Sequence, residues 1–329
     1  MKVAFMPFST PEAVAALEAA GHEVRLYEGP LLAAGCPAER VLAAAGDAEA
    51  LIAGLEPYDE ATLARLPRLK LISRCGIGYD AIDTAACRRL GIGVVRTLGA
   101  IEGAVAEHVM AGILYYARRL HEHNANMHAR AWKPLRMEGA KTRTLGLVGF
   151  GGIGKEIALR ARPFGMRIVY TCRHPDPAWQ EQYGAEYLPM DELLAASDYV
   201  SVNVPLTEAT RGMFDDAAIA KMKKGAVLIN IARGPVVPQD AAARALESGH
   251  LAGVMTDVYD AEPCTDSPLA DCPQALLTPH CAGITVENVG QMMLAAAGNL
   301  IGYFDGTVPA ARVVVDARRN PGEPQENKP

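Results

Sequence analysis

The sequence lacks the cysteine patterns that mark structural zinc sites or disulfide frameworks. Its seven cysteines are odd in number, contain no CxxC pair and follow no regular spacing. We therefore expect reduced thiols in a cytoplasmic protein and no structural metal site. The closely spaced histidines of "HEHNANMH" (residues 121–128) continue a helical pattern, and we interpret them as a solvated or interface helix face.

Excess positive charge and long apolar runs are also absent. A net charge of −6 offers no broad basic field to nucleic acid. No uninterrupted apolar run reaches the length of a membrane span, and Pro7 interrupts the start of the chain too early for a signal peptide. We expect neither a nucleic-acid partner nor a membrane partner.

The length of 329 residues exceeds what one hydrophobic core usually organises, so we expect two lobes. The first lobe alternates short apolar runs, such as "KVAFM" and "EVRLY", with amphipathic stretches such as "EAVAALEAA". Thr10 and Pro11 supply an N-cap and a first-turn proline to the first helix, and Gly21 ends it. This alternation predicts an α/β lobe with a mainly parallel sheet.

A second α/β lobe is predicted after a long helical pattern. Apolar residues spaced three or four apart predict one helix from Ala104 to His128. The stretch "TRTLGLVGFGGIG" then opens a new series of strands and helices, and an amphipathic helix follows Gly283. The polar, proline-rich residues at the C-terminus are expected to be disordered.

A glycine-rich loop, "GFGGIG" (residues 149–154), lies between a predicted strand and a predicted helix. The first glycine permits a tight turn, the second lets the backbone approach a pyrophosphate, and the third lets helix and strand pack closely. The helix N-terminus favours the anion. The alternative is a glycine-rich turn without a ligand. The predicted dinucleotide contacts here are Gly149, Gly151, Gly152, Ile153 and Gly154.

The next strand ends near Thr171, about 20 residues past the loop, where the ribose-reading residue sits in such units. A carboxylate at this point would bind the 2′-hydroxyl of NAD and repel the extra phosphate of NADP. This chain instead has Cys172, which is neutral, Arg173, a bidentate phosphate donor, and His174, which assists. We predict a preference for NADP(H). A surface arginine beside a relaxed NAD(H) site is the alternative.

Three later strands each end in a polar residue before a turn: "AVLINIARG" at Arg233, "GVMTDVYDAEP" at Asp257 and Glu262, and "ALLTPHCAG" at His280. The carboxyl ends of parallel strands line the ligand crevice of an open sheet. An arginine can polarise a carbonyl or hold a carboxylate. A histidine can supply a proton, with a carboxylate to orient it. Singly these residues are ordinary, but together they predict hydride transfer to a carbonyl.

The chain resembles the D-isomer-specific 2-hydroxyacid dehydrogenase family over nearly its whole length. The matching stretches are "SRCGIGYDAID", "VAEHVMAGIL", "TLGLVGFGGIG", "NVPLTEATRGMF", "MKKGAVLINIARG", "DVYDAEP" and "LLTPHCAGIT". The resemblance implies two Rossmann-like lobes with parallel sheets, and a homodimer through the cofactor lobes. A discontinuous substrate lobe (1–98 and 285–317) would enclose the inserted cofactor lobe (99–284), which carries the long interface helix. A disordered tail (318–329) would follow.

The resemblance also implies roles for individual residues. Arg233 resembles the family's substrate arginine, Glu262 its catalytic acid and His280 its proton donor. Hydride would reach C2 of a small 2-oxo acid, Arg233 would stabilise the developing oxyanion, and charged His280 would give the proton. Reduction should then slow as pH rises and the histidine loses that proton. The cofactor contacts beyond the glycine loop would be Cys172, Arg173, His174, Pro205, Thr210, Ala232 and, near the nicotinamide amide, Asp257.

The substrate side shows both a match and a departure. Backbone amides around Cys75, Gly76 and Ile77 resemble the family loop that holds the substrate carboxylate. Arg74 resembles the arginine found there in phosphoglycerate dehydrogenases, whereas Arg96 replaces an asparagine that members often carry. Two arginines near one pocket predict a second anionic group on the substrate, such as phosphate, phosphonate, sulfonate or carboxylate. The alternative is that one or both form salt bridges elsewhere.

Other functions remain as alternatives. An NAD-dependent, phosphoglycerate-type dehydrogenase would share most of these motifs. Formate dehydrogenases share the fold but carry glutamine in place of Glu262, which disfavours them. A nucleotide-sensing corepressor similar to the C-terminal-binding proteins would keep the catalytic residues, although this chain has few basic patches and no long interaction tail. A member that binds NADP and catalyses nothing is disfavoured by the intact set of catalytic residues.

Overall fold

The computed structural model describes residues 1–6, 8–30, 32 and 34–318. The chain forms two compact units, one comprising Met1–Ile101 and Ile284–Pro329, the other Glu102–Gly283. We expected the boundaries after residues 98 and 284, whereas they lie after Ile101 and Gly283. The tail expected to be disordered lies outside the described residues, apart from Arg318.

The secondary structure alternates between strands and helices in both units. The strands are β1 (Lys2–Phe5), β2 (Glu23–Leu26), β3 (Ala50–Ala53), β4 (Leu71–Arg74), β5 (Gly93–Arg96), β6 (Thr144–Val148), β7 (Arg167–Thr171), β8 (Ala185–Tyr187), β9 (Tyr199–Val202), β10 (Ala226–Asn230), β11 (Leu251–Thr256), β12 (Ala275–Leu277) and β13 (Val313–Val315). The α-helices are α1 (Pro11–Ala19), α2 (Ala38–Ala45), α3 (Glu60–Ala64), α4 (Thr84–Leu90), α5 (Glu102–Ala117), α6 (Leu120–His128), α7 (Gly152–Ala161), α8 (Ala178–Tyr183), α9 (Met190–Ala196), α10 (Asp216–Ala220), α11 (Gln239–Glu247) and α12 (Val286–Asp305).

The first unit contains a sheet with strand order β13-β5-β4-β3-β1-β2. Its strands pair in parallel except β13, which runs antiparallel to β5. The predicted N-cap of α1 forms, since the Thr10 hydroxyl accepts a hydrogen bond from the Ala13 amide at 3.4 Å. Thr285 caps α12 in the same way, at 3.1 Å from the Asn288 amide. Both helices pack on the sheet through fully buried side chains such as Leu17 and Leu300.

The second unit contains a parallel sheet with strand order β12-β11-β10-β9-β6-β7-β8. All residues of β6, β9 and β10 are buried. Strands covered on both faces read as continuous apolar runs, which is why they were visible in the sequence. The chain order reverses at β6, which pairs with β7 on one side and β9 on the other. Open α/β sheets bind ligands beyond the carboxyl ends of the strands at such a point.

The single long helix expected from Ala104 to His128 is wrong. The structure has two helices, α5 and α6, because Arg119 takes a left-handed conformation with φ 46°. The Arg119 guanidinium bonds Glu122 at 2.6 Å and the Arg136 carbonyl at 3.4 Å, which holds the turn. Of these two helices, α5 has a buried face, whereas none of the described α6 residues is buried.

The cysteines form no disulfide bonds in the described part of the structure. All seven are free thiols. Burial raises the pKa of Cys75 to about 11 and that of Cys87 to about 12, so both stay protonated at neutral pH.

Within the described ranges, no helix combines the length and the apolar character that crossing a bilayer requires.

Candidate active site

The glycine-rich loop connects β6 to α7, and its glycines have different reasons to be glycine. Gly149 has φ +95°, and a Cβ there would lie 2.8 Å from the Asn203 carbonyl oxygen. A Cβ on Gly154 would lie 2.5 Å from the Gly149 carbonyl oxygen. A Cβ on Gly151 would meet nothing within 4 Å. The loop's own packing therefore requires Gly149 and Gly154, while the backbone at Gly151 is open to an approaching group.

The residues after β7 lie next to this loop. The Gly149 amide donates to the Thr171 carbonyl at 2.9 Å. Cys172 is half-buried, and burial raises the pKa of its thiol, so the side chain is neutral at physiological pH. Arg173 and His174 are exposed. The end of β7 thus presents a neutral thiol and a cation where an NAD-type site would place a carboxylate.

Three further predicted cofactor contacts, Pro205, Thr210 and Ala232, follow β9 and β10. The Thr210 hydroxyl donates to the Pro205 carbonyl at 2.6 Å and accepts from the Thr207 amide at 2.8 Å. Ala232 is buried, and its amide donates to the Asn230 side chain at 3.1 Å. Since β10, β9, β6 and β7 are consecutive in the sheet, the loops that follow them share one edge.

Glu262 and His280 form a short polar contact within the candidate catalytic group. Glu262 Oε2 lies 2.6 Å from His280 Nδ1, and the side chains are 18% and 29% exposed. The other carboxylate oxygen accepts from the Tyr259 amide at 3.0 Å. Burial opposes ionisation of Glu262, but the hydrogen bond and charge of His280, the Tyr259 amide and the charge of Arg233 together hold its pKa below the ordinary value. The acid is therefore ionised and faces the imidazole.

Arg233 lies just beyond β10 and is braced by Asn230. The Asn230 side chain donates to the Arg233 carbonyl at 3.0 Å, and the guanidinium Nη1 donates to the Ala232 carbonyl at 2.6 Å. Gly234 packs so closely on the Tyr259 backbone that any Cβ would overlap it. This close packing brings the Arg233 segment against the segment that leads to Glu262.

Asp257 fixes the segment that carries His280. It is 2% exposed and accepts from the Thr278 hydroxyl at 2.7 Å and from the Cys281 and Ala282 amides, both at 2.8 Å. A carboxylate has about four acceptor positions, so most of its capacity is used on both sides of His280. His280 itself has φ 53°, a conformation that non-glycine residues adopt only when their surroundings hold them there.

Several supporting residues were not found from the sequence. Asn230 holds the Arg233 segment, the Tyr259 amide binds Glu262, and the Tyr259 hydroxyl donates to the Thr278 carbonyl at 2.9 Å. His108, on α5, lies 3.1 Å from the Thr278 hydroxyl. Asn230 had a visible signal, being a polar residue at the end of an apolar strand. His108 had none, because Thr278 is distant in the sequence. Tyr259 had none, because it binds Glu262 through its backbone amide, which almost any residue type could supply.

The first unit holds the predicted substrate residues at the ends of β4 and β5. Arg74 is only 7% exposed, and its guanidinium folds back to donate to the Cys75 carbonyl. A Cβ on Gly76 would lie 2.7 Å from that guanidinium, and Gly76 has φ +139°. Burial raises the pKa of nearby Glu56, with the charge of Arg74 among the effects that oppose it. The Arg74 guanidinium therefore packs against the loop that contains Cys75 and Gly76. The Thr97 hydroxyl donates to the Arg74 carbonyl at 3.1 Å and stabilises the start of this loop.

The loop amides differ in what they already bind. The Cys75 amide donates to Ala53 at 2.8 Å and the Gly76 amide to the Arg74 carbonyl at 3.0 Å, whereas the Ile77 amide has no acceptor in the described part of the chain. Arg96 is the direct cross-strand neighbour of Arg74. Its guanidinium carbon lies 5.6 Å from the Tyr79 ring centroid, and its buried Nε has no partner among the described residues.

Comparison with known proteins is consistent with this geometry. Residues 110–282 match the family model "D-isomer specific 2-hydroxyacid dehydrogenase, NAD binding domain". The chain is 38% identical to the glyoxylate reductase of Korarchaeum cryptofilum, with 80% of this chain and 82% of that protein aligned. It is 37% identical to the D-3-phosphoglycerate dehydrogenase of Mycobacterium leprae, with 80% of this chain aligned but only 50% of that longer protein.

A solved structure shares the fold over almost the full length. The glyoxylate reductase of Paecilomyes thermophila superposes with a TM-score of 0.83 at 30% identity, over 95% of this chain and 98% of that one. The two-lobed α/β architecture expected from the sequence is thereby confirmed. The chain belongs to the D-isomer specific 2-hydroxyacid dehydrogenases, a family of nicotinamide-dependent oxidoreductases, as its motifs predicted.

Proposed function

We propose that the protein reduces a small 2-oxo acid to the corresponding D-2-hydroxy acid, with NADPH as the preferred cofactor. The observation that carries the proposal is the 2.6 Å contact between Glu262 and His280, in the same unit as Arg233 and the glycine-rich loop. When bound, the nicotinamide supplies the hydride. The open backbone at Gly151 and the strand order around β6 fit a dinucleotide.

His280 is the proton donor in this proposal. Its Nδ1 is engaged by Glu262, which leaves Nε2 to face the reacting oxygen. The lowered pKa of Glu262 keeps that carboxylate negative where it contacts Nδ1. Glu262 thus orients the ring. The Asp257 contacts on either side of His280 limit movement of the backbone.

Arg233 binds and polarises the substrate. The Asn230 brace and the Gly234 packing fix its backbone, and the bond from Nη1 to the Ala232 carbonyl holds the guanidinium before the substrate arrives. A donor held in advance stabilises an oxyanion without reorganising at the moment of reaction. The positive charge of Arg233 helps to lower the pKa of Glu262, which supports the view that the three side chains act together.

The cofactor preference is supported by the end of β7. Cys172 carries no charge that would repel a 2′-phosphate, and Arg173 is exposed with a planar donor group that suits phosphate. His174 adds a further donor. NAD(H) remains the alternative cofactor, and a preference for it would favour an NAD-dependent, phosphoglycerate-type dehydrogenase.

The substrate residues of the first unit support binding of anionic groups. We propose that the Ile77 amide binds the substrate carboxylate and that Arg96 binds a second anion. Arg96 suits this role because its Nε lacks a partner among the described residues. The Arg74 guanidinium donates to its own loop. We therefore propose that Arg74, together with Cys75 and Gly76, maintains the conformation of that loop.

We further propose a homodimer in the cytoplasm. The described α6 has no buried residue, and Trp132, which follows it, is 86% exposed. A large aromatic side chain open to solvent is typical of an interface. Seven free thiols suit a reducing compartment. Sedimentation velocity of the wild type and of Trp132→Glu would test the dimer, which the variant should weaken.

A substrate panel tests the proposed function. Glyoxylate, hydroxypyruvate and 2-oxo acids with a second anionic group would each be assayed with NADPH and NADH. We expect steady turnover with NADPH, and a higher KM for doubly anionic substrates in Arg96→Gln but not in Arg118→Gln, a control outside the site. Binding without any turnover would support a nucleotide-sensing role instead, and equal use of NADH would overturn the cofactor preference.

A further inference from the structure

Lys155 lies beside the predicted 2′-phosphate site and has no role in the function described so far. It is the residue after the third glycine of the loop and belongs to the first turn of α7. In the part of the chain that the structure describes, no carboxylate forms an ion pair with Lys155 or Arg173. Two cations that no acid neutralises therefore stand near one point of the fold.

A cluster of aromatic rings holds the Lys155 ammonium. Its Nζ lies 4.1 Å from the Trp179 ring centroid and 5.7 Å from that of Tyr183. Such distances are within the range of cation–π attraction. Lysine has a flexible four-carbon stem, so this contact restricts where the charge can be. The ammonium is placed without being neutralised, which an ion pair with a carboxylate would not achieve.

The aromatic cluster is attached to both segments that flank the predicted ribose site. The ring centroid of Trp179 lies 5.3 Å from that of Phe150, within the glycine-rich loop, and 5.7 Å from that of Tyr170, near the end of β7. Phe150 and Tyr170 stack on each other at 4.3 Å. The position of Lys155 is therefore coupled to the loop and to the strand end that carries Cys172.

The Lys155 charge also reaches the strand end itself. Burial raises the pKa of the Cys172 thiol, and the backbone of His174 and the charge of Lys155 partly offset that effect. The same electrostatic attraction would act on a phosphate bound beside Cys172.

We infer that Lys155 is a specificity-determining residue that binds the 2′-phosphate of NADP(H) together with Arg173, and that Trp179 is its positioning residue. This rests on the NADP(H) preference proposed above. An ammonium held in place before the ligand arrives loses less freedom on binding than a free lysine does. Arg173 supplies a planar, bidentate donor and Lys155 a compact point charge, so the two contacts are complementary.

Tryptophan fluorescence gives a direct test that does not depend on turnover. The chain has two tryptophans, so Trp132→Phe leaves Trp179 as the only one. Adenosine 2′,5′-bisphosphate would be titrated into this variant, with adenosine 5′-monophosphate as the ligand that lacks the 2′-phosphate. We expect the bisphosphate to change Trp179 emission, because a phosphate beside the Lys155 ammonium changes the electric field at the ring that holds it, and the monophosphate to leave it nearly unchanged.

Binding constants of variants then assign the effect to Lys155. By calorimetry, Lys155→Gln should weaken the bisphosphate about tenfold and leave the monophosphate unchanged. Lys155→Arg should stay within about threefold of the wild type, because it keeps the charge. Lys224→Gln, at an exposed lysine of the same unit, should change neither ligand. Trp179→Leu should weaken the bisphosphate severalfold, since the ammonium then loses its support.

The outcomes separate this inference from the proposed function. If the wild type binds both ligands equally, the NADP(H) preference fails together with the role of Lys155. If the wild type prefers the bisphosphate and Lys155→Gln binds it unchanged, only the present inference is overturned. Equal weakening of both ligands in Lys155→Gln would also overturn it, because the lysine would then serve the rest of the nucleotide or the fold. If Lys155→Gln proves unfolded, a loss of preference in folded Lys155→Arg is the result that contradicts it.

Discussion

Individual side chains at the candidate site owe their charge and position to the groups that they contact. Glu262 is the clearest case, because burial alone would favour its neutral form. The hydrogen bond to His280 and the amide of Tyr259 outweigh that effect. The result is a carboxylate that stays ionised while facing an imidazole at 2.6 Å. If the pair acts as proposed, the same contact serves both catalysis and stability.

The lowered pKa of Glu262 predicts how this residue contributes to stability at different pH. A carboxyl group with a depressed folded-state pKa stabilises the fold fully above its unfolded value, here 4.5. That contribution is lost as pH falls through the lower, folded-state pKa. In urea unfolding, Glu262→Gln should therefore cost about 1 kcal/mol at neutral pH, and the difference from the wild type should shrink as pH falls below 4.5.

Glu247→Gln is the matched control, since Glu247 is an exposed carboxylate at the end of α11 in the same unit. It should show a small difference with no comparable pH dependence. A Glu262→Gln penalty that stays constant down to pH 3 would mean that the ionised carboxylate contributes nothing to the fold.

The sequence indicated the residues that could react, but not those that hold them. Arg233, Glu262 and His280 could be found because each follows an apolar strand, and such ends gather at one edge of a parallel sheet. Asp257 was found as a strand-end residue, but its bonds to the Thr278 hydroxyl and to the Cys281 and Ala282 amides join distant segments, which no local pattern reveals. Lys155 was missed although it follows the glycine motif directly, because its significance depends on the distant ring of Trp179.

At the scale of elements, the β6–α7 connection shows three glycines under different constraints. A Cβ at Gly154 would press on the loop's own backbone, at 2.5 Å from the Gly149 carbonyl oxygen, whereas one at Gly151 would meet nothing within 4 Å. The same substitution at the two positions should therefore separate stability from binding.

Gly154→Ala should destabilise the fold by about 1–3 kcal/mol, because the added methyl group overpacks a rigid contact. The free energy of unfolding of Gly151→Ala should stay within about 0.5 kcal/mol of that of the wild type. This variant should bind NADPH at least about tenfold more weakly, since its methyl group stands where the pyrophosphate approaches. Chemical denaturation and calorimetry would measure the two quantities. A Gly151→Ala variant with unchanged NADPH affinity would contradict the placement of the cofactor.

Most elements could be predicted, and those that could not have identifiable reasons. The break between α5 and α6 has no glycine or proline to mark it, because a left-handed Arg119 makes the turn. The strands β8 and β13 have three residues each, which is too short for a periodic pattern to stand out. The equally short β12 was found through the motif that follows it. Buried strands such as β6 and β10 were clear from their continuous apolar runs.

At the scale of the whole molecule, the chain forms one unit from both ends and a second unit from the middle. The discontinuity was expected from the family resemblance and not from composition, since nothing in the local sequence says that the first and last segments share a sheet. Pairing of β13 with β5 joins them. The predicted catalytic and cofactor residues all belong to the middle unit.

This division predicts that the middle unit binds the nucleotide alone. A fragment spanning residues 102–283 should bind adenosine 2′,5′-bisphosphate within about threefold of the full chain, because it contains every predicted cofactor contact and its own buried core. Calorimetry on a fragment shown to be folded by circular dichroism would measure this. A folded fragment that does not bind would place a necessary contact in the first unit.

The most direct measurement is the steady-state rate of His280→Ala with NADPH and the best 2-oxo acid of the panel, beside His128→Ala, a control at an exposed histidine of α6. If His280 delivers the proton, its loss should lower kcat by at least about 100-fold while the Kd of NADPH stays near that of the wild type and the control keeps full activity. A His280→Ala enzyme that turns over at the wild-type rate would contradict the proposed chemistry.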